Sequence, residues 1–201
     1  MLNPCDCRPG PVRELLSKPA LNDLSAIDQL THAANQGAYE KDLSEIGAGK
    51  RKIPLPVSCV RIDVDKFKSI NDNYGHNVGD DILRAIVNGL RLKIRSRDKL
   101  YRVGGDEFAL LCADLSSAEA EGMLSRVTKS LKDRPIRESK KDGSVGEIAV
   151  TLSIGIAECT NLADIGTAFK NADMAAILSK DSGRDRIIVH SPKIDSRPPV
   201  G

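Results

Sequence analysis

Leu100-Tyr101-Arg102-Val103-Gly104-Gly105-Asp106-Glu107-Phe108-Ala109-Leu110-Leu111-Cys112 sets two short apolar runs on either side of a Gly-Gly-Asp-Glu turn. Runs of this length and composition read as strands, and the glycine turn joins them into a β-hairpin. Upstream, Val57-Ser58-Cys59-Val60-Arg61-Ile62-Asp63-Val64-Asp65 puts Val60, Ile62 and Val64 on one face and Arg61, Asp63 and Asp65 on the other. It predicts a strand with two carboxylates on one face near its end. A helical stretch around 22–47 precedes it, ended by Gly47-Ala48-Gly49 and Pro54-Leu55-Pro56.

From Asn77 the period becomes helical. Val78, Ile82, Ile86, Leu90 and Ile94 share one side, with Leu83 and Val87 beside them, predicting a helix to about Ser96. A helix at 116–132 and a polar loop at 132–146 follow. A long strand from Ile148 to Cys159, a helix at 163–181 and a last strand from Arg186 to His190 complete the series. The order predicts an α+β domain with a mainly antiparallel central sheet covered by helices. The chain divides into a flexible N-terminal segment at 1–21, one folded domain at 22–190 and a Pro-rich flexible tail at 191–201.

The 201 residues carry 30 basic and 28 acidic side chains, a net charge of +2, so an anionic ligand must be bound locally rather than by a general field. Aromatics are 3% and Trp is absent, which argues against a base-stacking platform for single-stranded nucleic acid. The five cysteines are odd in number, and Cys59, Cys112 and Cys159 fall in strand-like runs, where a reduced thiol packs as a small apolar group. A cytoplasmic protein is expected. Cys5-Asp6-Cys7 lacks a second Cys/His pair at metal-ligand spacing. No run reaches the length of a membrane span, and no membrane segment is expected in this chain.

If the two strand regions are neighbours, Asp63, Asp65, Asp106 and Glu107 crowd together, and crowded carboxylates need a cation. Mg²⁺ takes one or two protein carboxylates and completes its octahedron with phosphates and water, which suits nucleoside triphosphate chemistry. Alone, a Gly-Gly-Asp turn or a strand-end Asp is ordinary; the combination is not.

The string Arg102-Val103-Gly104-Gly105-Asp106-Glu107-Phe108 resembles the GGDEF signature of diguanylate cyclases. Further resemblances are Asp63-Val64-Asp65-Lys66-Phe67-Lys68-Ser69-Ile70-Asn71-Asp72 with Tyr74-Gly75-His76 and Gly79-Asp80, then Ser153-Ile154-Gly155-Ile156-Ala157, and Ala172-Asp173 leading to Lys180 and Gly183-Arg184. The resemblance covers roughly 26–190. It implies a palm-like nucleotidyl-cyclase domain with a ferredoxin-like core that condenses two GTP into cyclic di-GMP and two pyrophosphates, as a homodimer using Mg²⁺, with Mn²⁺ as a substitute.

By the same resemblance, Asp63, the Val64 carbonyl and Asp106 ligate the metal, and Asp106 helps deprotonate the attacking 3′-hydroxyl. Glu107 is a second candidate for either task. Gly104 and Gly105 admit the ribose and α-phosphate. The backbone N–H groups of Lys66 and Phe67 cradle phosphates with Lys68 adding charge, and Lys180 and Arg184 grip the β- and γ-phosphates. Asn71 and Asp80 read guanine, which sets GTP above ATP, and Leu83 is either an apolar contact to the base or a plain core leucine. Arg95 and Asp98 have the spacing of the family's RxxD site for inhibitory product.

Asp28-Gln29-Leu30-Thr31-His32-Ala33-Ala34-Asn35-Gln36 resembles the family's DxLTGLxNR motif, but His32 replaces Gly, Ala33 replaces Leu and Gln36 replaces Arg. The lost leucine, which in the family lines the guanine pocket, removes contact worth ~1–3 kcal/mol. Ile177 stands where the family commonly has Tyr. The alternative reading is therefore a non-catalytic receptor that binds cyclic di-GMP or GTP; a third is a dimerisation module without nucleotide. Family members commonly carry a sensory domain, so a sensor or regulatory partner is expected.

Overall fold

The structure is a computed structural model and describes residues 26–191. The alternation at 57–65 becomes β2 (Val57–Val64) at the centre of the sheet. It pairs antiparallel with β4 (Glu107–Ala113) on one side and with β7 (Leu152–Cys159) on the other. The Gly-Gly turn joins β3 (Lys99–Arg102) to β4 as an antiparallel hairpin. A two-residue β1 (Ala34–Asn35) runs parallel to β3, and β8 (Arg186–Val189) runs parallel to β7. The six-stranded order is β1-β3-β4-β2-β7-β8. Its inner four strands, with their crossover helices, have the order of a ferredoxin-like split βαβ pair, as expected for a mainly antiparallel α+β domain.

One face of the sheet meets α3 (His76–Arg91) and α4 (Ser117–Lys132). Val60, Ile62 and Val64 pack there with Phe108, Leu110 and the predicted helix stripe Ile82, Ile86 and Leu90. Each fully buried side chain of this kind stabilises by about 1.5–3 kcal/mol. The other face meets α1 (Gln36–Gly47) and α5 (Ile165–Asp181), where Val57, Cys59 and Leu111 pack with Ile46 and Phe169. Ser116 caps α4, accepting from Glu119 N–H while Glu119 accepts from Ser116 N–H. Cys59, Cys112 and Cys159 are buried and free.

Gly155 on β7 lies opposite Arg61 on β2. A Cβ there would stand 2.0 Å from the Ala172 carbonyl oxygen and 2.3 Å from the Ala176 nitrogen. Only glycine lets the backbone of α5 rest directly on the sheet at that point.

Four expectations need correction. Among the described residues the helix expected at 22–47 begins at Gln36, because both the N–H and the hydroxyl of Thr31 donate to Asp28 Oδ1 and His32 takes a left-handed φ of 57°. The helix toward Ser96 ends at Arg91, and Arg95 N–H turns to Asp98 Oδ2. The polar loop at 132–146 and the start of the long strand at Ile148 form a separate hairpin, β5 (Ile136–Ser139) with β6 (Val145–Ile148). Asp65 has left the strand face: its buried carboxylate accepts from Ser153, Thr151 and the Asp185 N–H, while the short helix that Lys66 and Phe67 are expected to open is there as α2 (Phe67–Tyr74). Residues 1–25 and 192–201, with Cys5 and Cys7, lie outside the described residues.

Candidate active site

The acids meet where β2 ends beside the β3–β4 turn. Asp63 lies opposite Glu107 in the register, and Val64 N–H donates to the Asp106 carbonyl at 3.2 Å. Seated on Gly155, α5 brings Lys180 Nζ to 2.6 Å from Asp63 Oδ2. Burial pushes the Asp63 carboxyl above the usual range; the Lys180 ammonium opposes that, and the Asp106 and Glu107 charges add to it. The Asp106 carboxylate has no ion pair or hydrogen bond among the described residues. A cleft of about 150 Å³ opens here, edged by Asp63, Glu107, Lys180 and Ile177.

The hairpin turn is braced from outside. Arg102 donates to the Gly105 carbonyl at 2.7 and 3.1 Å and to Asp28 at 3.1 Å. Burial works against charge on Asp28, but the bonds from Thr31 and Arg102 outweigh it and hold that carboxyl below its usual range. A Cβ on Gly104 would crowd only the Glu107 side chain, at 3.0 Å, and one on Gly105 would meet nothing within 4 Å. Protein packing does not demand glycine at Gly105.

The candidate phosphate ligands fall into two places. Lys66 is the N-cap of α2 in a left-handed conformation, φ 56°, with Phe67 opening the helix and Lys68 exposed. Lys66 and Arg184, φ 64°, flank a cavity of about 530 Å³ that also touches Ser69 and Asn73. Lys180 is committed to Asp63 in the smaller cleft.

Of the implied base readers, Asn71 is the informative one, because its Oδ1 is buried without a partner. A buried acceptor left unpaired is costly unless a ligand answers it. Gly79 makes room for it, since a Cβ there would stand 2.0 Å from Asn71 Oδ1 and 3.1 Å from the Phe67 ring. Asp80 is half-buried on α3. Leu83 is 1% exposed and Ala33 2%, both within the core. Gly79→Ala is expected to turn Asn71 aside; if Asn71 reads guanine as the resemblance implies, GTP binding should weaken about 10- to 100-fold by loss of a buried hydrogen bond. Calorimetric titration reads the binding. A melting temperature within a few degrees of the parent separates this from unfolding, since Ala is the better helix former.

Arg95 and Asp98 sit in the turn after α3. Asp98 Oδ2 accepts from Arg95 N–H at 2.7 Å and from Nε at 3.4 Å, while Arg95 Nη2 donates to the Ala113 and Asp114 carbonyls. The Asp98 side chain is 1% exposed and its Oδ1 is buried and unpaired. Sequence reasoning missed the Arg102–Asp28 brace, and it gave no role to Arg61, Tyr39 or the motif residue Asp173, which only the docking of α1 and α5 brings together.

Among the described residues no group of three or more His, Cys, Asp or Glu could hold an ion alone. Two hard carboxylates beside an open cleft, one already neutralised by an ammonium, suit an ion that draws most ligands from phosphate and water. No helix among the described residues is long and apolar enough to cross a membrane.

A family model described as "Diguanylate cyclase, GGDEF domain" matches residues 25–186. Diguanylate cyclase DosC of Escherichia coli (strain K12) is 32% identical over 176 residues, covering 88% of this chain and 37% of that relative. The chain thus spans little more than a third of that protein. Diguanylate cyclase SiaD from Pseudomonas aeruginosa, solved in complex with its activator SiaC, has a TM-score of 0.73 at 29% identity, covering 85% of this chain and 64% of that one. The coiled coil and GGDEF domain of DgcB from Caulobacter crescentus, in complex with c-di-GMP, shares the fold with a TM-score of 0.75 at 24% identity, covering 85% and 88%. With the signature residues gathered at one end of the sheet and the family model spanning the described fold, the chain belongs to the GGDEF diguanylate cyclase family.

Proposed function

We propose that the protein is an active diguanylate cyclase that condenses two GTP into cyclic di-GMP with release of two pyrophosphates. The observation that carries this reading is the Asp106 carboxylate, left without a partner among the described residues beside an Asp63 that Lys180 already neutralises. In each half-reaction a 3′-oxygen–phosphorus bond forms, the bond from the α-phosphorus to the bridging oxygen of pyrophosphate breaks, and the hydroxyl proton passes to Asp106. Asp63, the Val64 carbonyl and Asp106 would hold Mg²⁺, or Mn²⁺ in its place, which supplies charge stabilisation at the phosphates. Gly105 leaves the ribose room that protein packing does not require.

Lys66 and Phe67 offer backbone N–H groups to the phosphates, with Lys68 and Arg184 adding charge. Lys180, paired with Asp63, is within the same cleft and would offer its ammonium to a phosphate. Asn71 and Asp80 read the guanine edge, and a site with such buried polar groups rejects an analogue lacking their partners by ~10⁴–10⁵. Each domain holds one GTP, so a two-fold homodimer is the productive species. Arg95 receives inhibitory product once it releases the Ala113 and Asp114 carbonyls, with Asp98 holding the turn. A regulatory partner or sensory domain sets the dimer's activity.

A non-catalytic receptor is the second reading, favoured by Ala33, which is sunk in the core and offers the base no side chain. The test incubates protein at several concentrations with GTP and Mg²⁺, with ATP as control, and separates products by chromatography. Cyclic di-GMP that rises more than linearly with protein supports the cyclase. No product at any concentration, with cyclic di-GMP binding that Arg95→Ala removes, supports the receptor.

A further inference from the structure

Along the side of β2 that faces α5, Val57 and Cys59 are fully buried and Asp63 edges the cleft, with Arg61 between them. A guanidinium at the boundary of an apolar core is costly unless paired. Three groups pair it. Asp173 of α5 accepts from Arg61 Nε, the Tyr39 ring of α1 lies 5.8 Å from Arg61 Cζ, and Glu107 Oε2 stands 4.0 Å from Nη2. The ring is itself fixed, edge-on to Tyr101 at 5.4 Å and to Phe169 at 5.2 Å. The Arg61 side chain is 18% exposed, against 47% for Glu107.

A planar fork held on one edge by a carboxylate and on one face by a ring has a single orientation left, and its remaining nitrogen faces Glu107. We infer, resting on the cyclase reading, that Arg61 is a positioning residue: it holds the Glu107 carboxylate over the cleft and away from Asp63 and Asp106. Asp63 and Glu107 both edge that cleft, the Asp106 and Glu107 charges both act on Asp63, and Lys180 answers only Asp63. Without Arg61, Glu107 swings among rotamers and repels the two acids that must hold the metal and take the proton. Lys in place of Arg keeps the charge but cannot span Asp173 and Glu107 while lying flat on Tyr39.

The test uses Arg61→Met, Arg61→Lys, Asp173→Asn and Glu107→Gln in full-length protein. Loss of positioning is expected to lower kcat about 10- to 100-fold, as misplacement of a reacting group does, with KM for GTP changed less than about threefold. Arg61→Met and Glu107→Gln are expected to be non-additive in a double-mutant cycle. Separately, ¹³C-carboxyl-labelled glutamate, with Glu107 assigned from Glu107→Gln, should show that resonance alone displaced in Arg61→Met and Asp173→Asn. A Glu107 resonance indifferent to Arg61, an additive cycle, or full activity in Arg61→Lys overturns the inference. A parent protein that makes no product while the Glu107 resonance still follows Arg61 overturns the cyclase reading and leaves the positioning contact standing.

Discussion

On the proposed cyclase reading, replacing Asp63 or Asp106 by Ala is expected to lower cyclic di-GMP formation about 10³-fold, the rate equivalent of the several kcal/mol that metal charge would supply at a transferring phosphate. Asp63 allows the cleaner interpretation because its cost to the fold has a known sign. Burial, joined by the Asp106 and Glu107 charges, raises its folded-state pKa above that of the unfolded chain, against the pull of Lys180. The folded state therefore binds the proton more tightly. Ionising Asp63 costs stability, a cost that sets in as pH rises past the unfolded pKa and is complete above the folded one. At neutral pH Asp63→Ala removes that cost, so its melting temperature should equal or exceed that of the parent. Activity that collapses in a protein of undiminished stability places the loss in the chemistry. More than a tenth of the parental rate at saturating Mg²⁺ would remove Asp63 from the ligand set.

Gly155→Val should act the other way, on the fold first. Its Cβ alone would enter the space of the Ala172 carbonyl oxygen and the Ala176 nitrogen, at 2.0 and 2.3 Å, and both are helix backbone that cannot rotate aside. Overpacking against mobile side chains costs about 1–3 kcal/mol, so a clash with fixed backbone should cost about 3 kcal/mol or more. For a domain of this size that is a fall of roughly 10 °C in Tm. Denaturant and thermal melts read it directly. What relieves the clash is lifting α5, which withdraws Lys180 from Asp63 and Asp173 from Arg61 together, so the residual folded fraction should also be impaired. A Gly155→Val protein with parental Tm would mean that α5 slides along the sheet and does not rest on it.

The sheet was readable because Val60, Ile62 and Val64 alternate with Arg61 and Asp63 at the end of β2, and the Gly104-Gly105 turn joins two apolar runs. The α3 stripe is a local pattern and was equally plain. Where the reading failed, a local bond competed with a pattern. Asp28 captures Thr31 and stops a helix that the composition of 22–47 would support. The β5–β6 hairpin hides in polar residues, and its one local signal is Asp142-Gly143 between Ile136 and Ile148, a pair typical of tight turns. Asp65 shows the limit of strict alternation, since the chain leaves the strand one residue before it. The motif residues Asp63, Asp106 and Glu107 are near one another because two adjacent strands carry them. Arg61, Asp173 and Tyr39 meet only through the docking of two helices distant in sequence, and no spacing announces that.

The contact of Arg61 with Asp173 spans 112 residues of chain. At ~5–20 residues per second of synthesis, the acidic strand and the GGDEF turn emerge from the ribosome on the order of ten seconds before the helix that completes their surroundings. During that interval the nascent chain holds the carboxylates without Lys180 or Asp173. The cleft at the end of β2 is therefore completed by a helix made well after the two strands that carry its acids.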